Sequence, residues 1–175
     1  MNKVCVSIGV GPGNGEALVR RFSEGGFQVA MLARSRDFLE SLAQQIPNTR
    51  AYEYDATETD SVNSTFQAIE QTLGPVSVLL YNAGAGVFKN VEEASFDDFE
   101  ASWHTNVQGL VAATKAVLPQ LRQHDTASIV VTSASAATGG GQILRLSLRP
   151  RRPSAAWRNP LPGSWGRKEF MWPTW

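Results

Sequence analysis

Along the chain, short apolar runs alternate with longer stretches in which apolar side chains recur every three or four positions. Residues 3–8 (KVCVSI) form the first run, rich in β-branched side chains, and a helical pattern follows over residues 14–24. Residues 27–33 (FQVAMLA) form the second, ahead of the amphipathic stretch 36–46. The third is 50–55 (RAYEYD), after which Val62, Phe66, Ile69 and Leu73 mark one face of a helix. The fourth, 76–84 (VSVLLYNAG), leads to a long helical segment over residues 96–123, with Ser95 and Asp98 at capping-box spacing at its start. The fifth is 127–133 (ASIVVTS). Strands that are apolar throughout are buried on both faces, and an amphipathic helix between each pair supplies the cover. The pattern predicts an α/β protein: a doubly wound parallel sheet of about five strands.

The turn after the first strand holds Gly9, Gly11, Gly13 and Gly15. The common dinucleotide-binding spacing, with two residues between its second and third glycines, is not met, because Asn14 and Glu16 stand at the required places. The spacing that fits is Gly9-x-x-x-Gly13-x-Gly15. Glycines here permit a tight turn and let backbone amides approach a pyrophosphate at a helix N-terminus, where the dipole favours an anion. Glycines also simply close strand–helix turns. After the second strand, the place for an acid that would bind the ribose 2′-hydroxyl of NAD is taken by Ala33, and Arg34 follows. A missing carboxylate beside a guanidinium favours a 2′-phosphate, and so NADP over NAD; the plainer alternative is a solvated arginine at a strand end. Asp55, closing the third strand in YDATE, either faces an adenine or caps the next helix.

Composition adds a boundary. A chain of 175 residues suffices for one domain with a real core. Its 16 basic and 16 acidic residues cancel, but unevenly. Residues 1–141 hold 9 Lys+Arg against 15 Asp+Glu, net −6, whereas residues 142–175 hold 7 against 1, net +6. The change falls inside GGGQILRLSLRPRRP, residues 139–153. The single Cys5 excludes an internal disulfide and, inside an apolar run, reads as a buried structural thiol. No apolar stretch is long enough to span a membrane, and residues 1–9 run straight into a strand without a separate signal peptide. The expectation is a soluble cytoplasmic protein with no membrane or metal site.

Further motifs follow in order: Tyr81-Asn82-Ala83-Gly84 at the end of strand four, Asn106-Val107-x-Gly109 in the long helix, and Thr132-Ser133-Ala134-Ser135 after strand five. With GVGPGNG and YDATE, these make residues 1–141 resemble the short-chain dehydrogenase/reductase family, whose NAD(P)-binding domain has the Rossmann fold. The resemblance implies that Gly9, Gly13 and Gly15 cradle the cofactor phosphates, Arg34 meets the NADP phosphate and Asp55 contacts adenine. Asn82, Ala83 and Gly84 would line the nicotinamide-side ribose, and Asn106 would support a proton-relay water. Ser135, with Ser133 as the alternative, would polarise the substrate carbonyl. The activity implied is hydride transfer between NADP(H) and a small carbonyl or alcohol substrate.

The family pattern next requires Tyr-x-x-x-Lys, the tyrosine as acid/base and the lysine holding the ribose and lowering the tyrosine pKa. After Ser135 this sequence has no tyrosine, and its only lysine is Lys168. Little or no turnover is therefore expected. Residues 142–175 carry four tryptophans and read as an aberrant, disordered tail. A displaced reading frame accounts for them. Joining each codon's third base to the next codon's first two forces valine from Met171-Trp172, alanine from Trp172-Pro173 and glycine from Trp165-Gly166. The same shift allows Phe-Ala-Ser-Ala-Lys from residues 146–151, and tyrosine cannot be encoded across Leu146-Ser147. The resemblance thus implies an atypical member of that family, and the expectation is a chain frameshifted or truncated after about Gly141.

The competing reading is a non-catalytic dinucleotide-binding fragment with a basic C-terminal arm, in which arginines neutralise phosphates and tryptophans stack on bases. Nucleic acid is not the expected partner. Family members usually dimerise through the long helix and the one after it; with the second missing, a homo-oligomer is not expected. Strand five would stand as an uncovered apolar sheet edge, which favours aggregation. His104 is expected at a packing or surface position and Trp103 in the core.

Overall fold

The computed structural model describes residues 3–133. Ser135, the glycines at 139–141 and the basic segment 142–175 lie outside the described residues. Five strands and five helices alternate: β1 (Val4–Ile8), α1 (Asn14–Glu24), β2 (Gln28–Ala33), α2 (Arg36–Gln45), β3 (Thr49–Glu53), α3 (Val62–Leu73), β4 (Val76–Tyr81), α4 (Phe96–Trp103), α5 (Gly109–Leu121) and β5 (Ser128–Val131). A single 3₁₀ turn, Thr59–Ser61, precedes α3, and a π turn, His104–Gln108, joins α4 to α5.

The sheet is parallel throughout, in the order β3-β2-β1-β4-β5. Alternation along β1 shows why it is doubly wound. Val4, Val6 and Ile8 face a core with Phe66 and Ile69 of α3 and Ala113 and Val117 of α5. Cys5 faces the other side, with Val19 of α1 and Leu39 and Leu42 of α2. Both sides are dry, so β1 is buried along its whole length. Burial also pushes the Cys5 thiol far up from its ordinary range, leaving it protonated and inert.

Three sequence expectations need correction. The segment 96–123 is not one helix, because the π turn interrupts it. The apolar periodicity continues across the turn, so the pattern alone gives no break. Asp55 does not close a strand, since β3 ends at Glu53; the Asp55 side chain instead accepts bonds from the Thr57 N–H (2.9 Å) and hydroxyl (2.8 Å) and starts a turn. Trp103 is not in the core but 51% exposed, on the outward side of α4 with Phe96 and Phe99. The Ser95–Asp98 capping box forms as its spacing predicts.

Candidate functional site

The strand order reverses between β1 and β4: from β1 the chain moves to β2 on one side, and later to β4 on the other. A crevice opens at the carboxyl ends of such strands, because the loops that leave them diverge to opposite faces. Here it is a cleft of about 790 Å³, lined by Gly9, Gly11, Pro12, Asn14 and Gly15 on one wall. Tyr81, Asn82, Ala83, Gly84, Ala85, Asn106, Val131, Thr132 and Ser133 form the other wall. A second lobe of about 330 Å³ shares Gly9, Gly11 and the 82–85 stretch and extends past Ala33 and Arg34 to Tyr54, Asp55, Ala56 and Thr57.

The four glycines divide their tasks. Gly9 has φ +82, and a Cβ there would lie 2.3 Å from the Ala83 nitrogen, so it lets the ends of β1 and β4 touch. Gly15, in the first turn of α1, packs its Cα against the backbone of Gly9 and Val10, with a Cβ only 2.8 Å from the Gly9 carbonyl oxygen. Gly13, at φ +95, holds the N-cap of α1 in a backbone conformation that side chains disfavour. Gly11 has nothing within 4 Å of its would-be Cβ and leaves the cleft floor open. No side chain caps α1, so the positive end of its dipole faces the cleft.

The opposite wall is pinned by hydrogen bonds. The Asn82 side chain donates to the Gly9 carbonyl (2.9 Å), and its backbone N–H donates to Ile8 (2.8 Å). Asn106 clamps Ala85 from both sides: its Oδ1 accepts from the Ala85 N–H (2.9 Å) and its Nδ2 donates to the Ala85 carbonyl (2.6 Å). The same loop is tied to α4 farther along. The Lys89 ammonium bonds both oxygens of Asp98 (2.9 and 2.8 Å), and Asp98 also accepts from the Ser95 N–H. With the lysine bond as the main cause, the Asp98 carboxyl is lowered to about 2.

The second lobe is electrostatically mixed. Arg34 is exposed and belongs to none of the ion pairs among the described residues. The Asp55 carboxyl is held below its ordinary range, first by the two Thr57 bonds and then by the charge of Arg34. The Tyr54 hydroxyl is buried without a partner among the described residues. Burial, reinforced by the Asp55 charge, pushes it up to about 12.

The structure thus gathers Gly9, Gly15, Arg34, Asp55, Asn82, Ala83, Gly84 and Asn106 around one cleft. Gly13 stands behind it, shaping the helix start, and Ser133 lines it; Ser135 lies outside the described residues. Sequence reasoning passed over Gly11, Pro12, Ala85 and Thr105. Gly11 carried a signal, as one of four alternating glycines, but the fitted spacing skipped it. His104 is not on the cleft: its ring meets Gln108, and Glu100 lies 3.5 Å away on the same helical face. Among the described residues no group of three or more His, Cys, Asp or Glu side chains could hold a metal ion. No helix among them is long and apolar enough to cross a membrane.

An uncapped helix N-terminus, an open glycine floor, an unpaired guanidinium and an unsatisfied buried hydroxyl suit a long anionic ligand such as a dinucleotide. Comparison with known proteins agrees. The family profile described as short chain dehydrogenase matches residues 3–144. A meso-2,3-butanediol dehydrogenase of Serratia marcescens is 34% identical over 142 residues, which cover 80% of this chain and 56% of that protein. A 3-oxoacyl-[acyl-carrier-protein] reductase of Mus musculus is 28% identical over 155 residues, covering 82% and 66%. Among solved structures, an alcohol dehydrogenase from the archaeon Thermococcus sibiricus, complexed with 5-hydroxy-NADP, superposes with a TM-score of 0.72 at 30% identity, covering 77% of this chain and 59% of that one. A 3-ketoacyl-(acyl-carrier-protein) reductase from Brucella melitensis, complexed with NADH, gives 0.77 at 26%, covering 82% and 62%. The chain therefore spans little more than half the length of the first of these relatives.

Proposed function

As the chain belongs to the short-chain dehydrogenase family of oxidoreductases, we propose that its cleft binds NADP(H) and that the chain as written binds without turning over. The observation that carries the cofactor choice is Arg34. It stands at the end of β2, outside every ion pair among the described residues, where an NAD-selective site would place an acid, and Ala33 cannot supply one. A planar guanidinium matches a phosphate through paired hydrogen bonds. Asp55 lies close enough to lower the local positive charge without pairing with Arg34, which fits a contact to the neutral adenine better than one to phosphate.

When bound, the cofactor supplies or accepts the hydride exchanged with a small carbonyl or alcohol. The protein's part is to hold it. Gly9 and Gly15 close the walls, Gly13 sets the start of α1, and the helix N-terminus receives the pyrophosphate. Asn82, Ala83 and Gly84 would meet the nicotinamide-side ribose. Asn106 would support a proton-relay water, and Ser135, or Ser133 on the cleft wall, would polarise a substrate oxygen.

The acid/base is what the residues do not supply. Residues 136–175 contain no tyrosine, and the three tyrosines of the chain precede them. Of these, Tyr81 lines the cleft but donates its hydroxyl to the Thr105 carbonyl, and its pKa is raised to about 12, chiefly by burial. A general acid works best with a pKa near the operating pH, and neither Tyr81 nor Tyr54 approaches it. We further propose that residues 1–141 form the nucleotide-binding unit and that residues 142–175 take no part in it. Calorimetric titration with NADPH, alongside a reductase assay on a panel of aldehydes and ketones, tests the reading. Saturable binding without carbonyl-dependent NADPH oxidation is expected, and unchanged in a chain ending at Gly141. Sustained turnover contradicts the loss of catalysis.

A further inference from the structure

Helices α4 and α5 would be one helix but for the π turn, and its bonding shows what that turn releases. The Gly109 N–H donates to the His104 carbonyl, five residues back. In a regular α-helix it would donate to Thr105, four back, so the Thr105 carbonyl is left without that partner. The Tyr81 hydroxyl, reaching over from the end of β4, donates to this carbonyl instead. Gly109 makes the approach possible: a Cβ there would lie 2.6 Å from the Tyr81 hydroxyl and 2.4 Å from the Ala56 carbonyl oxygen. The next residue along the turn is Asn106, whose amide clamps Ala85. Ala85 in turn lies four residues after Tyr81 on the strand-end loop. Tyr81, Thr105, Asn106 and Ala85 therefore close a ring between β4 and the π turn. Its anchor, Tyr81, is buried, whereas Asn106 and Ala85 are exposed.

We propose that Tyr81 is a positioning residue: its hydroxyl fixes the π turn and thereby holds Asn106 against Ala85, which sets the cleft wall. Only the effect on cofactor affinity rests on the dinucleotide reading; the clamp itself does not. In Tyr81→Phe the ring and its packing remain, but the Thr105 carbonyl loses its donor. The control is Tyr52→Phe, since the Tyr52 hydroxyl is also buried yet has no partner to lose among the described residues.

Two readouts separate the possibilities. In the free protein, Tyr81→Phe should speed hydrogen exchange at the Ala85 amide about tenfold, the factor one ordinary hydrogen bond confers, and Tyr52→Phe should not. With cofactor, Tyr81→Phe should weaken NADPH binding several-fold, and Tyr81→Phe combined with Asn106→Ala should bind no worse than Asn106→Ala alone. Unchanged Ala85 exchange, or losses that add in the double variant, would overturn the proposal. Failure of the unaltered chain to bind NADPH would instead overturn the dinucleotide reading and leave the exchange result standing. If Tyr81→Phe does not fold, the unaltered protein decides: a slowly exchanging Tyr81 hydroxyl proton is expected in its NMR spectrum, and a rapidly exchanging one contradicts the bond.

Discussion

Single residues in the first turn separate two demands that a glycine motif merges. Gly9 is needed by the fold: with φ +82 and Ala83 2.3 Å from its would-be Cβ, any side chain must push β1 and β4 apart. Gly9→Ala should cost roughly 2–4 kcal/mol in a denaturant titration, combining a disfavoured backbone with overpacking. Gly11 is not needed by the fold, and on the proposed reading its open space serves the ligand. Gly11→Ala meets no protein atom within 4 Å and should leave stability within about 0.5 kcal/mol, while weakening NADPH binding in the same preparation. The sequence located this turn and two residues that the structure places on the same cleft, Arg34 and Asn82. It could not divide the glycines, because φ and the distance to Ala83 depend on a strand some seventy residues away. Asp55 read from the sequence as the end of a strand and not as the start of a turn, since the two Thr57 bonds that draw it off β3 are a local choice that alternation does not record.

At the scale of elements, hydrophobic periodicity located every strand of the described residues, and every helix apart from the division between α4 and α5, to within a few positions, because β1, β2 and β4 are covered on both faces and the signal is strong. It missed the π turn, where one inserted residue shifts the helix without breaking its apolar pattern. It also misplaced Trp103, which shares an outward stripe with Phe96, Phe99, Val107 and Val111. Two connections carry predictions. Gln120 on α5 is buried; it accepts from the Val76 N–H at the start of β4 (3.1 Å) and donates to the Phe66 carbonyl on α3 (3.3 Å). Gln120→Leu leaves the buried Val76 N–H without its acceptor, whereas the Phe66 carbonyl keeps its helical bond within α3, and a loss of about 2 kcal/mol in thermal or chemical unfolding is expected. The Lys89–Asp98–Ser95 knot ties the cleft loop to α4. Because the folded carboxyl is depressed to about 2, this contribution is complete above pH about 4 and is lost as the pH falls toward 2. A ¹³C NMR titration of the Asp98 carboxyl should have its midpoint near 2; a midpoint near 4 would mean that the knot is open in solution.

For the whole molecule, the order β3-β2-β1-β4-β5 puts the most buried strand beside the cleft and leaves β5 at the end of the sheet among the described residues. Ile129, Val130 and Val131 are 38%, 45% and 46% exposed there. An apolar edge of this kind templates pairing with other chains, so the chain should run largely as aggregates in size-exclusion chromatography. Val130→Lys should raise its monomer fraction, and a fully monomeric parent would contradict the prediction. The charge division between residues 1–141 and 142–175 was visible only in the sequence, as was the missing tyrosine. The fold and the cleft therefore rest on patterns that burial enforces, whereas the proposed preference for NADP rests on one exposed side chain. Arg34 can be tested directly. Paired calorimetric titrations should give NADPH a dissociation constant at least about tenfold below that of NADH, as charge-assisted bonds to one phosphate imply, and Arg34→Ala should remove the difference without abolishing NADH binding. Equal affinities in the unaltered chain, or a preference that survives Arg34→Ala, would contradict the account.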